Sequence, residues 1–224
     1  LLYLAKITGS MKVKQEIFPP KELPWHGIYH PRSEKVFPSF QEYHHWYEWD
    51  DRPTIGMFFP RLLWVENSLE VIDALVEEFE HSGFNVIPLF NDRWEGTRRD
   101  EEVIEEFFME DGRPIIDLGV FYAAFFLSST RKGTSIERRE ANVLKKLNVP
   151  VLQMIFSVQT PEEWQENEHG LSPAQSIISV TLPEFDGLIE PIIVAVSEEE
   201  RDMVTEATIR RPKPIKKQVE YLVN

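Results

Sequence analysis

The sequence has 224 residues, 42% of them hydrophobic, with six Trp and no cysteine. That is ample material for one sizeable core, and it excludes a disulfide framework, a thiolate metal site and a cysteine nucleophile. A formal charge of −14 argues against nucleic-acid binding, which needs Lys and Arg gathered toward phosphates. No apolar run approaches the ~20 residues that span a bilayer and no signal peptide is visible, so the expectation is a cytoplasmic setting without a membrane span.

Residues 1–8, LLYLAKIT, read as the tail of a helix. From Lys12 to Pro53 the chain is punctuated by Pro19, Pro20, Pro24, Pro31, Pro38 and Pro53 and carries many aromatics, which predicts an extended arm. Inside that arm Ser39 caps a helix reaching Trp49, with Phe40, Tyr43, Trp46 and Tyr47 on one face. A regular rhythm follows. Thr54 to Phe59 is an apolar strand, and Asn67 or Ser68 caps an amphipathic helix that carries Leu69, Ile72, Leu75, Val76 and Phe79 and closes at Gly83. Asn85 to Phe90 is a second strand and Asp100 to Met109 a helix. Ile115 to Phe121 is a third strand, Ile136 to Leu147 a helix, and Val149 to Ile155 a fourth strand. Thr160-Pro161-Glu162-Glu163 starts a short helix that Gly170 closes. Ser172-Pro173 starts another, which Pro183 ends. Glu184 to Gly187 then forms a loop before a fifth strand at Ile189 to Val196.

Apolar strands separated by helices imply strands buried on both faces, joined by right-handed crossovers in a parallel sheet. The expected fold is a doubly wound, flavodoxin-like α/β domain over residues 54–197, with a mainly parallel sheet of about five strands. Residues 1–53 form its N-terminal helix tail and Pro/aromatic-rich arm. Residues 198–224 are expected to leave as a linker that begins a helix near Lys216 and leads toward a further domain.

Several blocks, in order, resemble the large subunit of the cobaltochelatase and magnesium-chelatase family. They are GIYHP at Gly27 to Pro31, then Tyr43, Trp46 and Tyr47, PTIG at Pro53 to Gly56, KLNVPVLQ at Lys146 to Gln153, TPEEW from Thr160, GLSP from Gly170, LPEFDG from Leu182 and IEPI from Ile189. KLNVPVLQ is more similar to the cobaltochelatase branch. The resemblance implies a piece of a much longer subunit of a ligase that inserts a divalent metal (cobalt, or else magnesium or nickel) into a tetrapyrrole, corrinoid or porphyrin, in cobalamin or related biosynthesis. It implies AAA+ ATPase subunits and the remainder of the large subunit as partners, no nucleotide bound by this chain, and no activity of this chain alone. The alternative is a non-catalytic module that docks the ATPase subunits, for which the acidic helices speak.

In a doubly wound sheet, ligands lie beyond the carboxyl ends of the strands. That criterion selects Arg61 and Trp64 after the first strand, Phe126, Thr130, Arg131 and Lys132 after the third, and Gln159 after the fourth. Aromatic walls with Arg and Lys at the edge suit a flat apolar ring rimmed by carboxylates; the same side chains also serve as structural bridges. Lys132-Gly133-Thr134 lacks the full phosphate-loop pattern. His30 in GIYHP is the candidate catalytic histidine, able to bind metal or move a pyrrole proton, or else to pack and cap a turn. Glu184, with Asp186, is a candidate acceptor of pyrrole protons. The family resemblance implies a tyrosine and a histidine where this chain has Pro60 and Leu63, so the metal-handling residues are left unassigned.

Overall fold

The structure is a computed structural model that describes residues 2–9, 17–19, 22–92, 98–124, 127, 129–132, 135–138, 142–166, 170–201, 203 and 206–223. Its centre is a seven-stranded sheet. Five strands run parallel: β2 (Thr54–Pro60), β3 (Asn85–Asn91), β6 (Leu118–Phe121), β9 (Val151–Phe156) and β10 (Ile189–Arg201). An antiparallel strand lies at each edge, β1 (His26–Ile28) beside β3 and β11 (Thr208–Pro214) beside β10, so the order is β1-β3-β2-β6-β9-β10-β11. Two small hairpins stand apart from it, β4 (Met109–Glu110) with β5 (Arg113–Pro114), and β7 (Ser129–Lys132) with β8 (Ser135–Arg138).

Both faces of the sheet are covered, as the unbroken apolar runs of β2 and β3 require. On one face α4 (Glu70–His81) presents Val71, Ile72, Leu75, Val76 and Phe79 to Ile55, Met57, Val86 and Phe90. On the other, α5 (Asp100–Phe108) and α6 (Asn142–Leu147) bring Val103, Ile104, Phe107, Phe108, Val143 and Leu147 onto Phe58, Leu89, Phe121 and Val151. The arm joins this second core through α2 (Phe40–Trp46). There Ser39 caps by accepting from Glu42 N, and the Tyr43 hydroxyl donates to the Val86 carbonyl at 2.6 Å. The first helix, α1 (Leu2–Ile7), is short.

Several expectations change. The sheet has seven strands, not about five, because the sequence criterion sees only strands buried on both faces. Residues 208–214, expected as part of a departing linker, form β11; the helix expected near Lys216 is α10 (Lys216–Val223), and it does not depart, since its Val219, Leu222 and Val223 pack on the α4 face. The helix expected from Ile136 begins at Asn142, since residues 135–138 are strand β8. Neither Asn67 nor Ser68 caps α4: Asn67 holds a positive φ of 52°, and the Ser68 hydroxyl accepts from Arg211 Nη1 at 2.9 Å. After α7 (Pro161–Glu166) and α8 (Pro173–Ser176), the chain does not stop at Pro183. It widens into a π-turn over Ile177–Thr181 and continues as α9 (Leu182–Asp186), ending in left-handed Gly187. Pro183 has no N–H to give, and a wide turn before it absorbs that loss. Glu184 is therefore helical. The capping at Thr160 holds: Thr160 Oγ1 accepts from Glu163 N at 3.2 Å while Glu163 Oε2 accepts from Thr160 N at 2.8 Å, a reciprocal capping box.

The middle of the sheet depends on two glycines. Gly56 of β2 and Gly119 of β6 are cross-strand partners. A Cβ on Gly56 would lie 2.8 and 2.9 Å from Ile116 Cδ1 and Cγ2 and 3.2 Å from Phe108 Cζ. The missing side chain is thus the space that Ile116 and Phe108 occupy. Gly56→Ala is expected to lower stability by about 1–3 kcal/mol through overpacking, read as a fall in the urea midpoint with an unchanged m-value.

Candidate functional site

The carboxyl ends of the parallel strands are formed by the starts of the segments that follow β2, β3, β6 and β9. α3 (Arg61–Val65) begins directly after Pro60. Arg61, 14% exposed at its side chain, is fully committed: its Nε donates to the Pro24 carbonyl at 2.7 Å, and its Nη1 reaches Asp92 Oδ2 at 2.9 Å. Its guanidinium carbon also lies 4.4 Å from the centre of the Trp25 ring. Of the two roles open to Arg61, ligand contact and structural bridge, the bridge is made, to Asp92 just after β3. Trp64 stacks on Phe90, with ring centres 5.0 Å apart and planes 10° from parallel, and borders the α4-side core. Both side chains therefore fasten the arm and α3 to the sheet's carboxyl end.

Gln159 lies beyond β9. Its Oε1 accepts from Ser157 Oγ at 3.3 Å, its N–H donates to the same hydroxyl, and its carbonyl accepts from Ser197 N. Phe126 lies outside the described residues. Thr130, Arg131 and Lys132 lie on β7, where the backbone pairs Thr130 with Glu137 and Arg131 with Ile136; their side chains lie outside the described residues. Among the described residues no hydrogen bond or ring contact joins Arg61 or Trp64 to Gln159.

His30 is fully buried, ringed by Tyr43, Trp46 and Tyr47 at centre distances of 6.2, 5.2 and 5.6 Å. Its Nδ1 accepts from the Arg32 N–H at 3.2 Å, which leaves Nε2–H to donate to Glu80 Oε1 at 3.2 Å. With both ring nitrogens used and no exposed surface, this histidine cross-links the arm to α4, the packing and capping role that was its alternative. Glu184 stands exposed on α9, whereas Asp186 beside it turns inward and accepts from the Leu127 N–H through Oδ2 at 2.7 Å. The two carboxylates do not act as a pair on one face. Among the described residues, no group of three or more His, Cys, Asp or Glu side chains is placed to hold a metal ion.

The structure adds polar groups that no motif singled out. Asn91, at the end of β3, donates through Nδ2 to the Arg98 carbonyl and to Asp100 Oδ1. His26 is its cross-strand neighbour. Gln153 of β9, 2% exposed, donates to the Ala123 carbonyl at 2.6 Å. Among the described residues, the buried Oδ1 of Asn91, Nδ1 of His26 and Oε1 of Gln153 have no hydrogen-bond partner. A Gln inside KLNVPVLQ and an Asn closing an apolar run were the available signals. Glu190 is the other residue missed: it is exposed, holds φ at 48°, and sits where the pairing of β10 with β9 shifts register. Bulges of this kind re-aim side chains.

The comparisons with known proteins bear on this frame. A family model described as CobN/Magnesium Chelatase matches residues 1–224. The chain belongs to that family. It is 31% identical to an uncharacterized protein of Methanocaldococcus jannaschii over its whole length, covering 18% of that relative. It is 30% identical over 75% of its length to the chloroplastic magnesium-chelatase subunit ChlH of Oryza sativa subsp. indica, covering 13% of it. The solved catalytic subunit of cobaltochelatase from Mycobacterium tuberculosis has the same fold, with a TM-score of 0.62 at 18% identity over 99% of this chain and 17% of that one. The chain thus spans less than a fifth of the length of these family members. No helix among the described residues is long and apolar enough to cross a membrane.

Two outcomes follow from the geometry. Arg61→Lys loses the fork that serves Pro24, Asp92 and Trp25 together, and is expected to cost about 1–3 kcal/mol, measured as a lower melting temperature with an earlier change in tryptophan fluorescence. The pKa of His30 is held below the ordinary 6.5, first by burial; the Glu80 carboxylate opposes this, and the Arg32 charge adds to it. A depressed folded-state pKa means the unfolded chain takes up the proton first. The stability contributed is therefore whole above pH 6.5 and lost as pH falls below that value. Urea midpoints of wild type are expected to drop through this window, and those of His30→Asn to depend on pH less steeply.

Proposed function

We propose that this chain is the α/β segment of a metal-chelatase large subunit and contributes a wall of its tetrapyrrole site. The observation that carries the reading is the family match along the whole chain. The strand order supports placing that wall at the carboxyl ends. The parallel strands run β3-β2-β6-β9-β10, an order we read as that of a doubly wound, flavodoxin-like sheet, with its reversal of direction between β2 and β6. The chain that leaves β6 leads to the β7–β8 hairpin with Thr130, Arg131 and Lys132; Arg131 and Lys132 are the cations proposed to meet the carboxylates on the ring's rim, with the Thr130 hydroxyl as a further donor beside them. Arg61 and Trp64 support the same region from behind, and Gln159 borders it. His30 keeps a supporting role, and the exposed Glu184 is the proposed proton acceptor of the two catalytic candidates.

The metal is a substrate in this reading, with cobalt favoured by KLNVPVLQ over magnesium or nickel. Insertion requires the rest of a large subunit and separate AAA+ ATPase subunits, so this chain by itself is proposed to be inactive and to bind no nucleotide. The second reading, a docking module for the ATPase subunits, draws on the acidic surface. Much of that surface is internally matched: Glu105 pairs with Lys146, Glu106 with Arg98 and Glu102 with Arg99. The first reading is favoured for that reason.

Absorbance titration of the full-length protein with hydrogenobyrinic acid diamide and with protoporphyrin separates the branches. Binding of one ring is expected, weakened about tenfold or more when Arg131 and Lys132 are both replaced by alanine, as the loss of charge-assisted bonds requires. An unshifted spectrum with both rings would overturn the proposal.

A further inference from the structure

The segment between β6 and the β7–β8 hairpin is held at two points by side chains remote from it in sequence. Near its start, Gln153 of β9 donates Nε2–H to the Ala123 carbonyl at 2.6 Å, a bond between buried groups. Four residues later, Asp186 of α9 accepts the Leu127 N–H through Oδ2 at 2.7 Å. Leu127 itself is buried in the α5-side core with Leu188, and Leu144 lies 3.8 Å from where a Cβ on Gly187 would be. A backbone N–H held by a carboxylate at this distance is a charge-assisted bond, about twice as strong as a neutral one. The partner side of the clamp is short and irregular. Asp186 ends a five-residue helix that follows a π-turn, and it is followed by Gly187 at φ 104°. Exposed Ile177 and Phe185 lie on that same segment.

We propose that Asp186 is a positioning residue: it fixes the chain leaving β6, and so places the β7–β8 hairpin relative to the sheet. Any shift of the segment 173–186 is then transmitted to the hairpin through one carboxylate. The proposal rests on the tetrapyrrole reading only for its consequence, since the clamp itself is a matter of geometry. It also gives the LPEFDG block a role other than proton acceptance by both of its acids: Glu184 faces solvent, while Asp186 turns inward to the loop.

The test uses hydrogen–deuterium exchange and protoporphyrin titration of the full-length protein, comparing wild type, Asp186→Ala and Asp186→Asn. Asparagine keeps an oxygen that can accept the Leu127 N–H, so it reports whether the bond, and not the charge, is required. In Asp186→Ala, exchange at Leu127 and through residues 129–138 is expected to rise about tenfold or more while β2 and β3 keep their protection. Porphyrin affinity is expected to fall by about tenfold in the same variant, and Asp186→Asn to restore most of both. Unchanged exchange at Leu127 in Asp186→Ala would overturn the clamp. A rise spread equally over β2 and β3 would also overturn it, because the residue would then be a general stability element. Raised local exchange with unaltered porphyrin affinity would remove the hairpin's placement from the site. Where wild type binds hydrogenobyrinic acid diamide and not protoporphyrin, that ring replaces protoporphyrin in the titration; should it bind neither, the tetrapyrrole reading fails, and the exchange data still decide the clamp.

Discussion

A parallel sheet of apolar strands needs both faces covered and strands at its edges that tolerate an unpaired side, and the rest of this chain answers that constraint. Five central strands offer two apolar faces and two open rows of backbone donors and acceptors. The faces are closed by α4 and α10 on one side and by α5, α6 and the aromatic arm on the other. The edges are closed by β1 and β11, both antiparallel and both from segments that look unlike strands. β1 is only three residues long for a local reason. Its next position, Tyr29, donates to the Pro88 carbonyl, and Pro88 has no N–H to return.

Ion pairs then lock the cover in place. Lys213 of β11 reaches Glu70 on α4 and Glu200 on β10, both near 2.8 Å, and Arg211 Nη1 donates to the Glu66 carbonyl and the Ser68 hydroxyl. These groups are partly exposed, so each pair adds little alone. Their effect is geometric: the strand at one edge is tied to the loop between β2 and α4. On the opposite edge, Arg61 ties the arm to the ends of β2 and β3, and the Glu80 carboxylate receives both His30 and Arg32.

What could be read from the sequence follows from which signals are local. The apolar runs at Thr54, Asn85 and Val149 announce buried strands because nearly all positions of β2, β3 and β9 face a core. TIRRPKP does not, since two prolines and four cations or polar residues look like a linker. Proline and basic residues are nonetheless what an edge strand tolerates, where one side of the backbone has no partner. The π-turn is hidden because Pro183 reads as a stop, and no residue type announces the wide turn that lets the helix pass it. For the site, residue type points to Arg61 and His30 as residues with specific partners, and the partners the structure gives them lie within the chain. Exposure is a property of the arm's fold, and neither spacing nor composition carries it. Asn91 and Gln153 were passed over since a single amide in an apolar run has no periodicity.

The two edge strands also set an order of events for the folding chain. β1 must find β3 across some sixty residues, and the central strands join by crossovers, so most pairings here close long loops. Such topologies fold slowly and keep strand edges open while they do. The β10 edge stays unpaired until β11 turns back onto it, and that strand carries Glu198, Glu199 and Glu200 beside its apolar Val194 to Val196. Three consecutive carboxylates on a waiting edge repel a second copy of the same edge. The arginines and lysine of β11 neutralise them only once the native partner arrives, so the charges that guard the intermediate are the ones that recognise its completion.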